Sequence, residues 1–239
     1  MHIAVIARVL GMLLMIFSFT MLSPIIVSSI YDESTSSTFL IAFAITLLSG
    51  LLFWLPAMRK KGELRTRDGF FVTVFFWLVL STFGALPLWL SDALQLSFVD
   101  SLFESVSGLT TTGATVISGL DTLPKSILFY RQQLQWLGGI GIVVIAVAIL
   151  PMLGIGGMQM YRAETPGPLK DSKLTPRIAE TANVLFKIYL TITVLCALAY
   201  NLAGMSVFDA IGHSFSTVAI GGFSTHDESI GFFNSDLIM

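Results

Sequence analysis

Residues 99–115 read Val99-Asp100-Ser101-Leu102-Phe103-Glu104-Ser105-Val106-Ser107-Gly108-Leu109-Thr110-Thr111-Thr112-Gly113-Ala114-Thr115, and they suit neither a membrane span nor a solvated loop. The stretch is too polar to cross a bilayer, and its first half is too apolar to lie in water. An apolar run of about 10–14 residues fits a re-entrant segment. As a helix, residues 99–109 descend ~16 Å at 1.5 Å per residue. Extended, residues 110–115 climb back ~20 Å at about 3.3 Å per residue. Half of a ~30 Å hydrocarbon core is ~15 Å, so both limbs reach the midplane. The lengths predict a pore loop.

Residues 208–225 repeat the pattern. Aligning Asp100 with Asp209 brings Gly113 onto Gly222 without a gap, Ser105 onto Ser214 and Ser107 onto Ser216. Leu102, Val106 and Leu109 then fall on Ile211, Phe215 and Val218. An internal repeat of this kind outranks local signals in assigning a fold. The unit it predicts is outer helix, pore loop, inner helix.

The flanking sequence supplies the helices. Of the 239 residues, 54% are hydrophobic and only 12% charged, about half the charge that covers a soluble domain. Uncharged stretches of about 20 residues are long enough to span. They occur at residues 38–58, 69–91 and within 132–161, with residues 3–30 broken only by Arg8 and residues 188–208 preceded by Lys187. The first of them exceeds the apolar core of a signal peptide, so a retained helix is expected. Residues 59–67 hold five of the thirteen Lys and Arg, and residues 162–177 hold four. The positive-inside rule puts both loops and the N-terminus in the cytoplasm and the Asp32-Glu33 loop outside. Residues 69–91 then run outward, 132–161 inward and 180–206 outward. Both pore loops therefore open to the same, external face.

These readings divide the chain into a leading helix pair (1–68), a first repeat (69–161), a cytoplasmic loop (162–179) and a second repeat (180–239). The second repeat stops after its filter-like segment, without an inner helix. One and a half units cannot enclose an ion, so the sequence is expected to be part of a longer chain. The fold class expected is an all-α polytopic membrane protein, channel-like in its repeats.

The chemistry expected is that of a main-chain cation filter. Backbone carbonyls strip water from a cation when they line up along an axis, and glycine reaches positive φ without a Cβ clash. Thr110, Thr111, Thr112 and Gly113 form one such segment, and Ala219, Ile220, Gly221 and Gly222 the other. The helix before each segment aims its negative end at the membrane centre. Asp100 and Asp209 open those helices as caps or first-turn acids, and Glu104 and His213, at equivalent positions, are expected to brace the loops.

Other features carry less. His226-Asp227-Glu228 lacks metal-ligand spacing and reads as a solvated cluster at the outer mouth. Gly138-Gly139-Ile140-Gly141 and Gly154-Ile155-Gly156-Gly157 satisfy no nucleotide-binding pattern and suit close helix packing. The single cysteine, Cys196, excludes a disulfide framework. A net charge of −2 excludes a basic nucleic-acid binder. No hydrolase, zincin or kinase signature is present, and no enzyme or organic cofactor is expected.

The run from Phe103 to Gly113 resembles the first filter of the Trk-type potassium uptake proteins. Arg131-Gln132-Gln133-Leu134-Gln135-Trp136-Leu137-Gly138-Gly139 and Ala219-Ile220-Gly221-Gly222-Phe223-Ser224-Thr225 support the resemblance, which covers the whole chain. It implies two leading helices followed by four repeats around a pseudo-fourfold pore, of which this chain supplies the first and part of the second. It further implies K⁺ as the transported ion, with the eight filter residues above as carbonyl ligands. A bacterial inner-membrane location, a homodimer and a cytosolic nucleotide-binding regulatory subunit follow in the same way. Two alternatives stand beside it. A broken-helix secondary transporter predicts repeats of inverted topology, whereas both copies here follow an outward helix. A non-conducting membrane scaffold leaves the two aligned glycines without a purpose.

Overall fold

A computed structural model of the chain describes residues 3–58, 66–152, 174–235 and 237–238, and these contain helices and turns but no strand. The helices are α1 (Ile3–Thr20), α2 (Ser23–Ile30), α3 (Ser36–Trp54), α4 (Thr66–Gly84) and α5 (Leu86–Trp89). They continue with α6 (Phe98–Leu109), α7 (Lys125–Met152), α8 (Leu174–Leu202) and α9 (Val207–Ala219). Among the described residues, four segments are long and apolar enough to cross a membrane: Ile3–Ile30, Ser36–Ala57, Phe71–Trp89 and Thr181–Leu202. Large apolar side chains such as Leu52, Leu78, Leu195 and Leu202 stay exposed along them, as hydrocarbon solvent permits and water does not.

The first span is broken rather than continuous. Helix α1 ends in a turn at Met21-Leu22, and α2 restarts with Pro24 in its first turn, where a missing N–H costs nothing. The hydroxyls of Ser18, Thr20 and Ser23 bond back to carbonyls three residues earlier, which satisfies groups that the break frees inside the membrane. Helices α1 and α3 then cross backbone to backbone. A Cβ on Gly11 would lie 2.7 Å from the Gly50 oxygen, and one on Gly50 would lie 2.9 Å from the Gly11 oxygen. Only small residues allow that approach.

Helices α4, α6 and α7 form the first repeat around a shared core of Leu80, Leu109, Ile127, Tyr130 and Leu134, against which α1 and α3 lay Leu14, Phe17 and Phe39. The glycine motif in α7 serves packing. A Cβ on Gly138 would sit 2.0 Å from the Leu109 oxygen, and one on Gly139 would sit 2.4 Å from the Tyr189 hydroxyl. Gly154-Ile155-Gly156-Gly157 and the two basic loops, apart from the backbone of α4 and α8 at their ends, lie outside the described residues.

Helix α6 is inside out by the standards of a soluble protein. It buries Ser101, Glu104, Ser105 and Ser107 and exposes Val99, Phe103 and Val106. Helix α9 does the same, burying His213, Ser214 and Ser216 while exposing Val207 and Ile211. Glu104, His213, Ser214 and Ser216 find partners inside that hydrocarbon cannot offer, whereas the hydroxyls of Ser101, Ser105 and Ser107 are buried without one.

Candidate functional site

The two short helices are built alike at both ends. Ser97 and Ser206 are their N-caps. Each accepts the amide of Asp100 or Asp209 at 3.1 Å and donates its hydroxyl to that residue's carboxylate. The aspartates are thus the first-turn partners of a capping serine. At the C-terminal ends, Thr112 N donates to Ser107 O (2.9 Å) and Thr111 N to Gly108 O (3.0 Å). In the second copy Gly221 N donates to Ser216 O (2.8 Å) and Ile220 N to Thr217 O (3.0 Å). This closure requires a left-handed residue just past the helix. Thr111 has φ 55° and Ile220 has φ 56°, followed two residues on by Gly113 at φ 78° and Gly222 at φ 91°. All four positive φ angles fall in the alignment register of the sequence repeat.

Each extended limb turns its amides back and leaves its carbonyls free. Thr110, Thr111 and Thr112 give their N–H groups to the end of α6. Ile220, Gly221 and Gly222 give theirs to α9, the last through Ser216 Oγ at 2.9 Å. Among the described residues no hydrogen-bond donor reaches the carbonyls of Thr110, Thr111, Thr112, Gly113, Ala219, Ile220, Gly221 or Gly222. Thr110, Thr112, Ile220 and Gly222 are exposed and Ala219 and Gly221 buried, so the free acceptors are presented at an open face. The limbs also abut, since a Cβ on Gly113 would lie 2.1 Å from the Gly221 oxygen. Two rows of acceptors side by side favour a cation.

A polar layer behind the limbs holds them. Glu104, fully buried, accepts Thr115 Oγ1 at 2.9 and 3.0 Å and Val116 N at 3.2 Å. His213, its aligned counterpart, has Nε2 3.4 Å from Ser224 Oγ and 3.2 Å from Thr225 Oγ1, the aligned positions of the second limb. Both residues brace the loops as their positions suggest. The Thr110 hydroxyl donates to Val106 O and pairs with the Thr112 hydroxyl at 2.7 Å, so it braces the loop too.

Helix α7, which follows the first limb, grips the second. Gln132 Nε2 donates to Phe223 O at 3.1 Å, and Gln135 Oε1 accepts Phe223 N at 3.1 Å. Arg131, 1% exposed, pairs with Glu104 at 2.7 Å and donates to Ser224 O at 3.4 Å. Its guanidinium lies 4.5 Å from the centre of the Phe223 ring. Gln133 faces the other way and donates to Thr20 O in the leading helices. The signal for this grip was an Arg and three Gln opening an apolar helix, which the membrane tolerates only when each finds a partner.

Of His226-Asp227-Glu228, expected as a solvated cluster at the mouth, Asp227 and Glu228 are exposed and His226 is half-buried. His226 is stacked on Phe232 with ring centroids 3.5 Å apart, and it meets Asp121 through Nδ1 and Asp209 through Nε2. Asp227 accepts the Gly119 amide at 2.9 Å. These contacts tie the first mouth loop to the second, and the bond with His226 holds the Asp121 carboxyl below its usual range. Among the described residues no group of three or more His, Cys, Asp or Glu is placed to hold a metal ion.

The family whose model matches residues 35–239 is TrkH, a cation transport protein. The chain belongs to the TrkH family. It is 62% identical over 238 residues to the Trk system potassium uptake protein TrkH of Halomonas elongata, covering 100% of this chain and 49% of that protein. To TrkG of Escherichia coli K12 it is 48% identical over 237 residues, covering 99% of this chain and 49% of the relative. The crystal structure of the potassium transporter TrkH from Vibrio parahaemolyticus superposes with a TM-score of 0.88 at 53% identity, over 100% of this chain and 47% of that one. The chain therefore spans about half the length of the curated relatives it matches. TrkH-family membership agrees with the all-helical fold and its repeats.

Proposed function

We infer that this chain supplies two adjacent limbs of a K⁺-selective filter in a membrane uptake protein. Thr110, Thr111, Thr112, Gly113, Ala219, Ile220, Gly221 and Gly222 contribute carbonyl ligands. The observation that carries this reading is the set of eight carbonyls without a donor among the described residues, in two abutting limbs of matching backbone conformation. The relatives' names, which describe potassium uptake, support K⁺ as the ion. They also support a transport role rather than catalysis.

The division proposed is a leading pair at 1–68, a first repeat at 69–161, a cytoplasmic loop at 162–179 and a second repeat at 180–239. With the N-terminus in the cytoplasm of a bacterial inner membrane, both limbs are entered from outside. Each inward charge gains ~2.3 kcal/mol per 100 mV of membrane potential. The ring is completed by further repeats, and the resemblance adds a homodimeric partner and a cytosolic nucleotide-binding subunit. The inverted-repeat transporter reading lacks support, because α6 and α9 share the same caps and each follows a span expected to run outward.

The test is complementation. Residues 1–239 joined to the remaining half of Vibrio parahaemolyticus TrkH should restore growth of K⁺-uptake-deficient bacteria at low K⁺, whereas residues 1–239 alone should not. A membrane-inserted chimaera that never takes up Rb⁺, with the native Vibrio protein active alongside, overturns the reading.

A further inference from the structure

Arg131 is the one described residue whose side chain donates hydrogen bonds to groups bracing both limbs. Its Nε donates to Glu104 Oε1 at 2.8 Å and its Nη2 to Thr115 Oγ1 at 3.0 Å, both behind the first limb. Its Nη1 donates to Ser224 O behind the second limb, whose Phe223 ring lies under the guanidinium. A guanidinium offers five N–H donors in a rigid planar fork. That shape fixes the distance between whatever its two edges hold. A lysine ammonium offers three donors from one point and cannot span the same two partners.

We propose that Arg131 is a positioning residue for ion discrimination: its fork sets the spacing between the first and second limbs, and Glu104 keeps its charge from repelling the ion. This rests on the filter reading above. Discrimination between cations of different size depends on how many carbonyls surround the ion and how firmly they are held. The limbs meet at Gly113 and Gly221, where a Cβ would lie 2.1 Å from the neighbouring oxygen. A small relative shift of the limbs therefore changes the cage directly. Arg131 is 1% exposed and Glu104 fully buried, so solvent does not screen the guanidinium charge. Paired, the two cancel; with Glu104 neutralised, a full positive charge stands behind a cation site.

Geometry and charge predict different kinetic signatures. In the chimaera, Arg131→Lys keeps the charge and loses the fork. The half-saturating Rb⁺ concentration should stay within about twofold, while preference for Rb⁺ over Na⁺ falls at least about threefold. Glu104→Gln strands the charge and should raise half-saturation at least about threefold. Both are read by Rb⁺ uptake with and without competing Na⁺, normalised to protein in the membrane. If Arg131→Lys keeps its ion preference, the fork does not set the limb spacing and the proposal falls. If both variants lower only the amount of protein, with transport per molecule unchanged, the pair merely supports the fold and the proposal falls as well. Gly113→Ser serves as the reference: a change of preference there with none in Arg131→Lys removes this inference alone, and no change in either removes the filter reading beneath it.

Discussion

Among individual residues, Gly113 and Gly222 are equivalent in the repeat and yet unequal in surroundings. Both hold positive φ, at 78° and 91°, which an L side chain adopts with strain of order 1–3 kcal/mol. Gly113 has a second constraint, since its Cβ would fall 2.1 Å from the Gly221 oxygen, whereas a Cβ on Gly222 meets only the Gly113 Cα at 3.8 Å. Gly113→Ser should therefore erode Rb⁺ preference over Na⁺ by roughly tenfold or more, taking ~1.4 kcal/mol per factor of ten. Gly222→Ser should erode it less. Ser105→Ala should have the smallest effect, because the buried Ser105 Oγ has no hydrogen-bond partner to lose. Na⁺-competed Rb⁺ uptake ranks the three, and an inverted order of the glycines would show that the Gly113–Gly221 contact is not what matters. The glycines were legible in sequence because glycine advertises positive φ. Thr111 and Ile220 were not: a β-branched residue is a poor candidate for a left-handed angle, and only the helix closures explain why the chain accepts it twice.

Among elements, the uncharged run 132–161 marks only part of α7, and its residues 153–161 lie outside the described residues. The run was expected from Gln132, but the helix begins at Lys125. Its start is held by Glu33, whose carboxylate accepts the amides of Lys125 and Ser126 at 2.6 and 3.1 Å. A carboxylate at a helix N-terminus is favourable, but one supplied from 92 residues earlier leaves no local signature. The Arg and Gln residues of α7 signal a need for partners but not that the second limb supplies them, while the repeat itself is legible because Asp, Ser and Gly recur in register. The α7 glycines give a sharp contrast within one helix. A Cβ on Gly138 would overlap the Leu109 oxygen at 2.0 Å, at the junction of α6 and its limb, whereas one on Gly141 meets only Trp77 and Phe76 carbons at 3.5–3.6 Å. Gly138→Ala should displace α6 and abolish Rb⁺ uptake by the chimaera, with a lowered melting temperature in detergent. Gly141→Ala should leave both nearly unchanged. Equal tolerance of the two would mean that the α6–α7 approach is not a constraint on the site.

At the scale of the whole molecule, the fold fixes which loops share a face, and charge fixes which face that is. A pocket of about 430 Å³ brings together Asp32, Glu33, Ser91, Asp92, Thr122 and Pro124, so the ends of three helical hairpins gather on one side. The His226 contacts with Asp121 and Asp209 lie at the mouth between the two repeats. Absolute orientation rests on the Lys and Arg of residues 59–67 and 162–177, through the positive-inside rule. It is testable in the chimaera with Cys196 replaced by Ser. Asp32→Cys and Asp92→Cys, both exposed positions, should react with a membrane-impermeant maleimide in intact cells. Glu63→Cys should react only after permeabilisation. The reverse pattern would place both limbs open to the cytoplasm. The membrane potential favours inward cation movement in either orientation, so the external entry to the filter, on which the uptake proposal rests, would be lost rather than the driving force.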